Sequence, residues 1–229
     1  MPVNALLAGV TSLAGGREEA YITVMASQKE SIHITFPKDS PDLEPDGYLE
    51  GHLLIATPTV RGKVFAQTVI YLFAHNAQGA MGVIVNKPLD MVHYGSILQQ
   101  LGIDVSAVTR DVPVHFGGPV DEHRGFVLHS DDYLNEDSLE QGNGVALTAS
   151  TSVLKDLACG QGPKDARLMI GYAGWGAGQL EHELEQGSWI SLPATPELLF
   201  SAPDAAKWAL SAQTLGVDMS RYSPFVGHA

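Results

Sequence analysis

Apolar residues in this chain come in short runs, and the period of those runs changes along the sequence. GHLLIAT at 51–57 reads as a buried strand stopped by Pro58. QTVIYLFAH at 67–75 is β-branched and aromatic, which is strand composition. AMGVIVN at 80–86 is the returning strand. Asn76-Ala77-Gln78-Gly79 is turn chemistry, so 67–86 is expected to be a hairpin with a four-residue loop. Lys87-Pro88 ends it, because proline has no N–H for a ladder. The period then lengthens: Tyr94, Ile97, Leu98 and Leu101 share one face of a short helix that Gly102 stops. VPVHF at 112–116 is a strand leading to Gly117-Gly118-Pro119. DEHRG at 121–125 is a turn and FVLH at 126–129 the next strand. The segment 131–142 reads as an acidic surface loop and 145–148 as a further strand.

Ser150 is placed to cap a helix over 151–159 with Val153, Leu154, Leu157 and Ala158 inward, ended by Gly160 and Pro163. A strand at 166–172, a helix at 178–186 with Leu180 and Leu184 inward, and a strand at 189–192 follow. Thr195-Pro196 opens a helix with proline first. A last helix at 203–215 carries Ala205, Trp208, Ala209 and Ala212 on one stripe. Strands cluster first and then mix with helices, which predicts an α+β fold or a mixed sheet with helices around it. Residues 1–50 have a different texture. PKDSPDLEPDG buries almost nothing and reads as the end of an extension and linker, while SIHITF at 31–36 has the alternation of a short edge strand. The single compact domain is expected at 51–229.

Charge narrows the range of functions. The 26 acidic and 13 basic residues give a formal net charge of −13. Such a field repels phosphate backbones and anionic lipid, so nucleic-acid or membrane-surface binding is disfavoured. A single cysteine, Cys159, excludes an intramolecular disulfide and a thiolate metal cluster, and it is expected to pack rather than react. The run VNALLAGVTSLAGG at 3–16 has some signal-like apolarity, but no Lys or Arg precedes it, so a cytoplasmic protein is expected. Met25, followed by Ala-Ser-Gln, is a candidate start of the natural chain. Finding residues 1–24 by intact-mass analysis of the native protein would overturn that expectation.

The most distinctive stretch is 171–185, GYAGWGAGQLEHELE, which follows a strand-like run and turns into an acidic helix. Glycines there can bring backbone N–H groups to an anion at a helix start, or they can make a tight turn that lets Trp175 pack over the strand. The spacing is neither the dinucleotide fingerprint nor a P-loop, and Glu181, Glu183 and Glu185 oppose phosphate, so the packing role is preferred. These glutamates read as a solvated face or as carboxylates at a helix start. His115, His123 and His129 share one strand-turn-strand unit with Asp121, a weak basis for a metal site, and no metal is expected. No motif calls for a cofactor, and no nucleophile stands at an elbow. His75 and His129 are the candidate acids or bases.

Taken in order, these segments resemble the YqgE/AlgH family of small bacterial proteins. The matching pieces are Gly51-His52-Leu53-Leu54-Ile55-Ala56 with Pro58, His75-Asn76 through Gly79-Ala80-Met81-Gly82, and Val85-Asn86-Lys87-Pro88. Phe116-Gly117-Gly118-Pro119-Val120, Arg124-Gly125-Phe126-Val127-Leu128-His129, and Gly171-Tyr172-Ala173-Gly174-Trp175 with Gly178-Gln179-Leu180-Glu181 and Glu183 follow. Gly227-His228-Ala229 closes the set. The resemblance covers about 51–229 and does not reach the first 50 residues. It implies a bifurcated mixed sheet, partly barrel-like, surrounded by helices, in a cytosolic protein with no settled biochemical activity. Some members are labelled transcriptional regulators, yet no helix-turn-helix with a basic recognition helix is visible here. Gly117, Gly118, Arg124, His129, Tyr172, Trp175, Gln179 and Glu181 mark where a ligand site would lie, with Arg124 paired to Glu181 or Glu183 or binding an anion. The expected function is a non-catalytic module that recognises a protein or small ligand in the groove near the glycines. An enzyme using His129 or His75 with a carboxylate, and a DNA-binding regulator, are the alternatives.

Overall fold

A computed structural model describes residues 47–106, 108–217 and 219. The expected edge strand at 31–36, the candidate start at Met25 and the closing Gly227-His228-Ala229 lie outside these residues. Among the described residues nine strands form one sheet, β1 (His52–Ala56), β2 (Val69–Asn76), β3 (Gly79–Ile84), β4 (Val114–Phe116), β5 (Val120–Ser130), β6 (Ser138–Glu140), β7 (Val145–Thr148), β8 (Ala166–Gly176) and β9 (Trp189–Pro193). The helices are α1 (Tyr94–Gln100), α2 (Thr151–Ala158), α3 (Gln179–Glu185) and α4 (Asp204–Thr214), with a π-helical turn at Glu197–Ser201. The sheet order is β6-β7-β5-β8-β3-β2-β1-β9, all antiparallel, and β4 joins β8 in parallel.

The sheet divides at β8. Its first half, up to Ile170, pairs with β5 on one side and β4 on the other, and Gly82 to Gly79 of β3 pair with Ala173 to Gly176 further along. Gly117 closes the fork: its N–H donates to Ile170 O at 2.7 Å and its carbonyl accepts from Ile84 N at 2.8 Å. A Cβ on Gly117 would lie 2.2 Å from Gly171 O, and one on Gly118 would lie 2.1 Å from the Tyr172 carbonyl carbon. Only glycine lets the backbones approach this closely. The curled sheet encloses one core of Leu53, Ile55, Tyr71, Phe73, Val83, Phe126, Leu128, Leu147 and Met169, with Leu199 and Ala212 packed into it. Its outer faces carry two more cores. Residues of α1 and α2 cover β4, β5 and β8, while α3, Val60 and Phe65 cover β1 to β3.

Several sequence expectations shift. The hairpin turn is two residues, Ala77 and Gln78, because Asn76 and Gly79 already pair and Asn76 Oδ1 accepts from Gln78 N at 2.8 Å. The segment 121–125 is an irregularity inside one long strand β5, with Asp121 at φ 50°, rather than a turn between two strands. The acidic loop carries β6, which pairs with β7. On α4, Ala205 and Ala209 are exposed and the buried positions are Lys207, Ser211 and Ala212. The reason is electrostatic: Lys207 Nζ donates to Leu199 O at 2.9 Å and Val85 O at 3.2 Å, and it lies 3.2 Å from Asp204. These contacts turn the helix away from its alanine stripe. The expected proline-led helix at 195 is the π turn, whose Leu199 and Phe200 carbonyls accept from Arg167 instead of continuing an α pattern. Cys159 is exposed at the C-terminal end of α2, because the turn ending at Gly160 points it away from the core.

Candidate functional site

The glycine stretch builds a strand end rather than an open loop. β8 runs through Gly174 and Gly176, and Ala80 pairs with Trp175. The chain then reverses at Ala177 and Gly178, and α3 begins at once. The Gly176 N–H, which an anion would need, donates to Gln179 Oε1 at 3.1 Å. Alternation along β8 sends Ala173 and Trp175 to the outer core, facing α3.

Helical spacing then brings Gln179 and Glu183 together at i, i+4. Glu183 does not join a solvated acidic face. It is buried, and its carboxylate is the hub of the region: Oε2 accepts from Trp175 Nε1 at 3.0 Å and from Trp189 Nε1 at 2.7 Å, and Oε1 accepts from Gln179 Nε2 at 3.0 Å. Three donors aimed at an acceptor-only group offset the desolvation of its charge. Trp175 and Trp189 meet edge to face at 6.1 Å, and Phe65 meets Trp189 the same way at 6.2 Å. Val60, Arg61, Phe65, Trp175, Glu183 and Trp189 are among the residues that line a cleft of about 60 Å³. Gln179, Glu183 and both tryptophans therefore share one site. The 179/183 spacing and the presence of only three tryptophans are the sequence signals for it, whereas the contributions of Trp189, Phe65 and Arg61 come from remote segments with no local signature.

Glu181 lies next to this cleft, on a different face of α3. Its Oε1 accepts from His75 Nε2 at 2.8 Å, while His75 Nδ1 accepts from the Leu49 N–H at 2.9 Å. The backbone donor at Nδ1 leaves the proton on Nε2, so His75 is a donor to Glu181 with both ring nitrogens engaged. Burial pushes the Glu181 carboxyl up, but its backbone hydrogen bond and His75 more than offset this, and it sits below its ordinary value. Tyr48 packs on the His75 ring at 5.1 Å and His75 N donates to Glu50 Oε1 at 3.1 Å, so residues just ahead of β1 fasten the same corner.

The remaining expected residues are elsewhere. Gly117 and Gly118 sit at the sheet fork, and Tyr172 meets Phe126 edge to face at 6.1 Å toward the enclosed core. The Arg124 guanidinium lies 5.2 Å over the Phe126 ring and makes no ion pair with Glu181 or Glu183. His129 is buried. Its Nδ1–H donates to Ser130 O at 2.8 Å, and Nε2 accepts from Thr148 Oγ1 at the same distance. Burial holds its pKa below the ordinary histidine value. The three histidines considered for a metal diverge: His115 turns to Asp204 at 3.0 Å, His129 to Thr148, and His123 is exposed.

A second polar cluster went unread in the sequence because its members are far apart. Asp204 receives His115 Nε2–H at 3.0 Å and lies 3.2 Å from Lys207 Nζ and 3.5 Å from Arg167 Nη1. Arg167 Nη1 also lies 3.2 Å from His115 Nε2. That ring nitrogen faces an ionised carboxylate, so it carries the proton. Burial pushes the Asp204 carboxyl up, but His115, Lys207 and Arg167 outweigh it and hold it at about 2. Burial lowers Lys207 to about 8.

A family model described as AlgH-like matches residues 53–220. A UPF0301 protein of Rhodospirillum rubrum is 45% identical over 184 residues, covering 80% of this chain and 96% of that one. A UPF0301 protein of Jannaschia sp. is 45% identical over 191 residues, covering 82% and 98%. The solution structure of the AlgH protein from Pseudomonas aeruginosa superposes with a TM-score of 0.66 at 39% identity, covering 82% of this chain and all of that one. The crystal structure of a Corynebacterium diphtheriae protein, at 22% identity and a TM-score of 0.63, shares the fold.

Proposed function

Since this chain belongs to the AlgH-like family, we propose that it is a cytoplasmic, non-catalytic binding module that recognises a small ligand or a protein in the cleft between β8, α3 and β9. One observation carries the reading: the carboxylate of the cleft and the imidazole on its flank are held by fixed protein partners. Glu183 accepts from Trp175, Trp189 and Gln179, and His75 is engaged at both ring nitrogens. A general base needs a lone pair that is free to take up a proton from substrate, whereas three donors fix Glu183 as an acceptor whose remaining Oε1 position suits holding a ligand donor. The His75–Glu181 contact at 2.8 Å is what favours the alternative of an enzyme, but the backbone N–H on Nδ1 spends the nitrogen such a base would use. Among the described residues no helix is long and apolar enough to cross a membrane, and the charge of −13 opposes a DNA-binding role.

The test compares wild-type protein with Trp175→Ala in affinity capture followed by mass spectrometry and in a fragment screen read on the indole N–H resonances. Loss of ligands or partners in a variant that still folds supports the reading. A folded Trp175→Ala that keeps every ligand and partner removes the cleft as the site.

A further inference from the structure

The walls and floor of the cleft specify a charge for its occupant. Phe65, Trp189 and Trp175 stand in succession at near right angles, 88° and 83°. Aromatic faces carry negative potential, and perpendicular rings direct faces and edges around one small space. On the floor, Glu183 is 7% exposed, and no Lys, Arg or His among the described residues lies within ion-pair distance of it. Its three partners are neutral donors, two on Oε2 and one on Oε1. A carboxylate oxygen accepts about two hydrogen bonds, so Oε1 has one position open. The cavity of about 60 Å³ has room for about four or five groups of water size. An anionic head would meet Glu183 as a like charge. The one basic wall residue, Arg61, is exposed.

We propose that the cleft binds a small primary alkylammonium ion, its N–H donating to Glu183 Oε1 and its alkyl stem lying against Trp175, Trp189 and Phe65. This rests on the cleft being the binding site, and it adds the sign and chemical class of the ligand. The overall charge of −13 raises the local concentration of such cations. Arg61 at the wall repels them, which predicts an unusual direction for its removal.

The experiment is a titration of the full chain with n-butylammonium chloride, 1-butanol and sodium butyrate, followed on the Trp175 and Trp189 indole N–H resonances. The ammonium ion alone is expected to shift both, saturably. Arg61→Gln is expected to tighten its binding by about threefold or more, and Glu183→Gln to weaken it by about tenfold or more, the direction and scale of a nearby charge in a partly screened site. Should Glu183→Gln not fold, Arg61→Gln with the same three probes decides. The proposal is overturned if butyrate or butanol shifts the indoles at concentrations equal to or below the ammonium, or if Arg61→Gln weakens ammonium binding. In that event the cleft remains the binding site and only its charge preference is wrong. If none of the three probes moves the indoles, the ammonium assignment falls, and the Trp175→Ala comparison decides separately whether the cleft binds anything.

Discussion

Two side chains organise most of the polar chemistry described above, and neither is conspicuous in the sequence. Glu183 stands in an acidic helix, yet it is the acceptor for two indoles and an amide. Replacing it by glutamine keeps the shape but turns an N–H₂ group toward at least one buried donor. The expected loss is about 2 kcal/mol of stability, the scale of unsatisfied buried partners of a charged group, read as a lower urea midpoint with an unchanged slope. Asp204 makes a prediction in pH. Its folded value of about 2 lies below its unfolded value near 4, so it is a depressed carboxylate. Its contribution is present above about pH 4 and is lost as pH falls toward 2. The difference corresponds to about 2 kcal/mol at a side chain that is 21% exposed. In Asp204→Asn, the part of acid destabilisation between about pH 4 and pH 2 that belongs to this group should disappear from urea melts. The variant should also be less stable at neutral pH, because Lys207 and Arg167 lose their counter-charge.

At the level of elements, β8 is the strand on which the others depend, and the glycines in it and packed against it are not equivalent. Gly118 faces the Tyr172 backbone, where a Cβ would stand at 2.1 Å, and Gly118 itself has φ 154°. Gly174 would place a Cβ at 3.5 Å from the Tyr172 ring, an ordinary contact, in extended backbone. Gly118→Ala is therefore expected to cost several kcal/mol, on the order of 3 or more, because backbone must move. Gly174→Ala should change stability by less than about 1 kcal/mol. Thermal or urea unfolding of the two variants side by side checks this, and equal effects would mean that the fork does not depend on close backbone approach. The same strand explains why the glycine stretch reads ambiguously from sequence. Periodicity marks 166–172 as strand, and glycine content marks the rest as loop. Ladder pairing with β3 from Gly79 to Gly82 overrides the weak strand propensity of glycine and extends β8 to Gly176.

For the whole molecule, the net charge of −13 predicts no retardation of duplex DNA in a mobility-shift assay at physiological salt and micromolar protein. Salt-sensitive binding there would revive the regulator reading. Composition, periodicity and the ordered motifs were enough for an α+β fold, its family, and nearly every strand and helix from 51 to 215, because those features depend on local burial pattern and turn chemistry. His129, Arg124 and the paired glycines could be singled out but not placed. A motif shows that a residue matters without showing which face it takes. The cleft, the His75–Glu181 contact and the Asp204 cluster join segments separated by tens of residues, for example His115 with Asp204 and His75 with Glu181. Linear pattern carries no record of such pairings. They arise only when the sheet forks at β8 and curls, which brings the ends of β2, β8 and β9 to one side of α3. The sequence by itself determined most of the apolar faces that are buried, the stripe of α4 excepted. Tertiary structure alone decided which buried polar groups meet, because a charge removed from water is stable only where the folded chain supplies its partners.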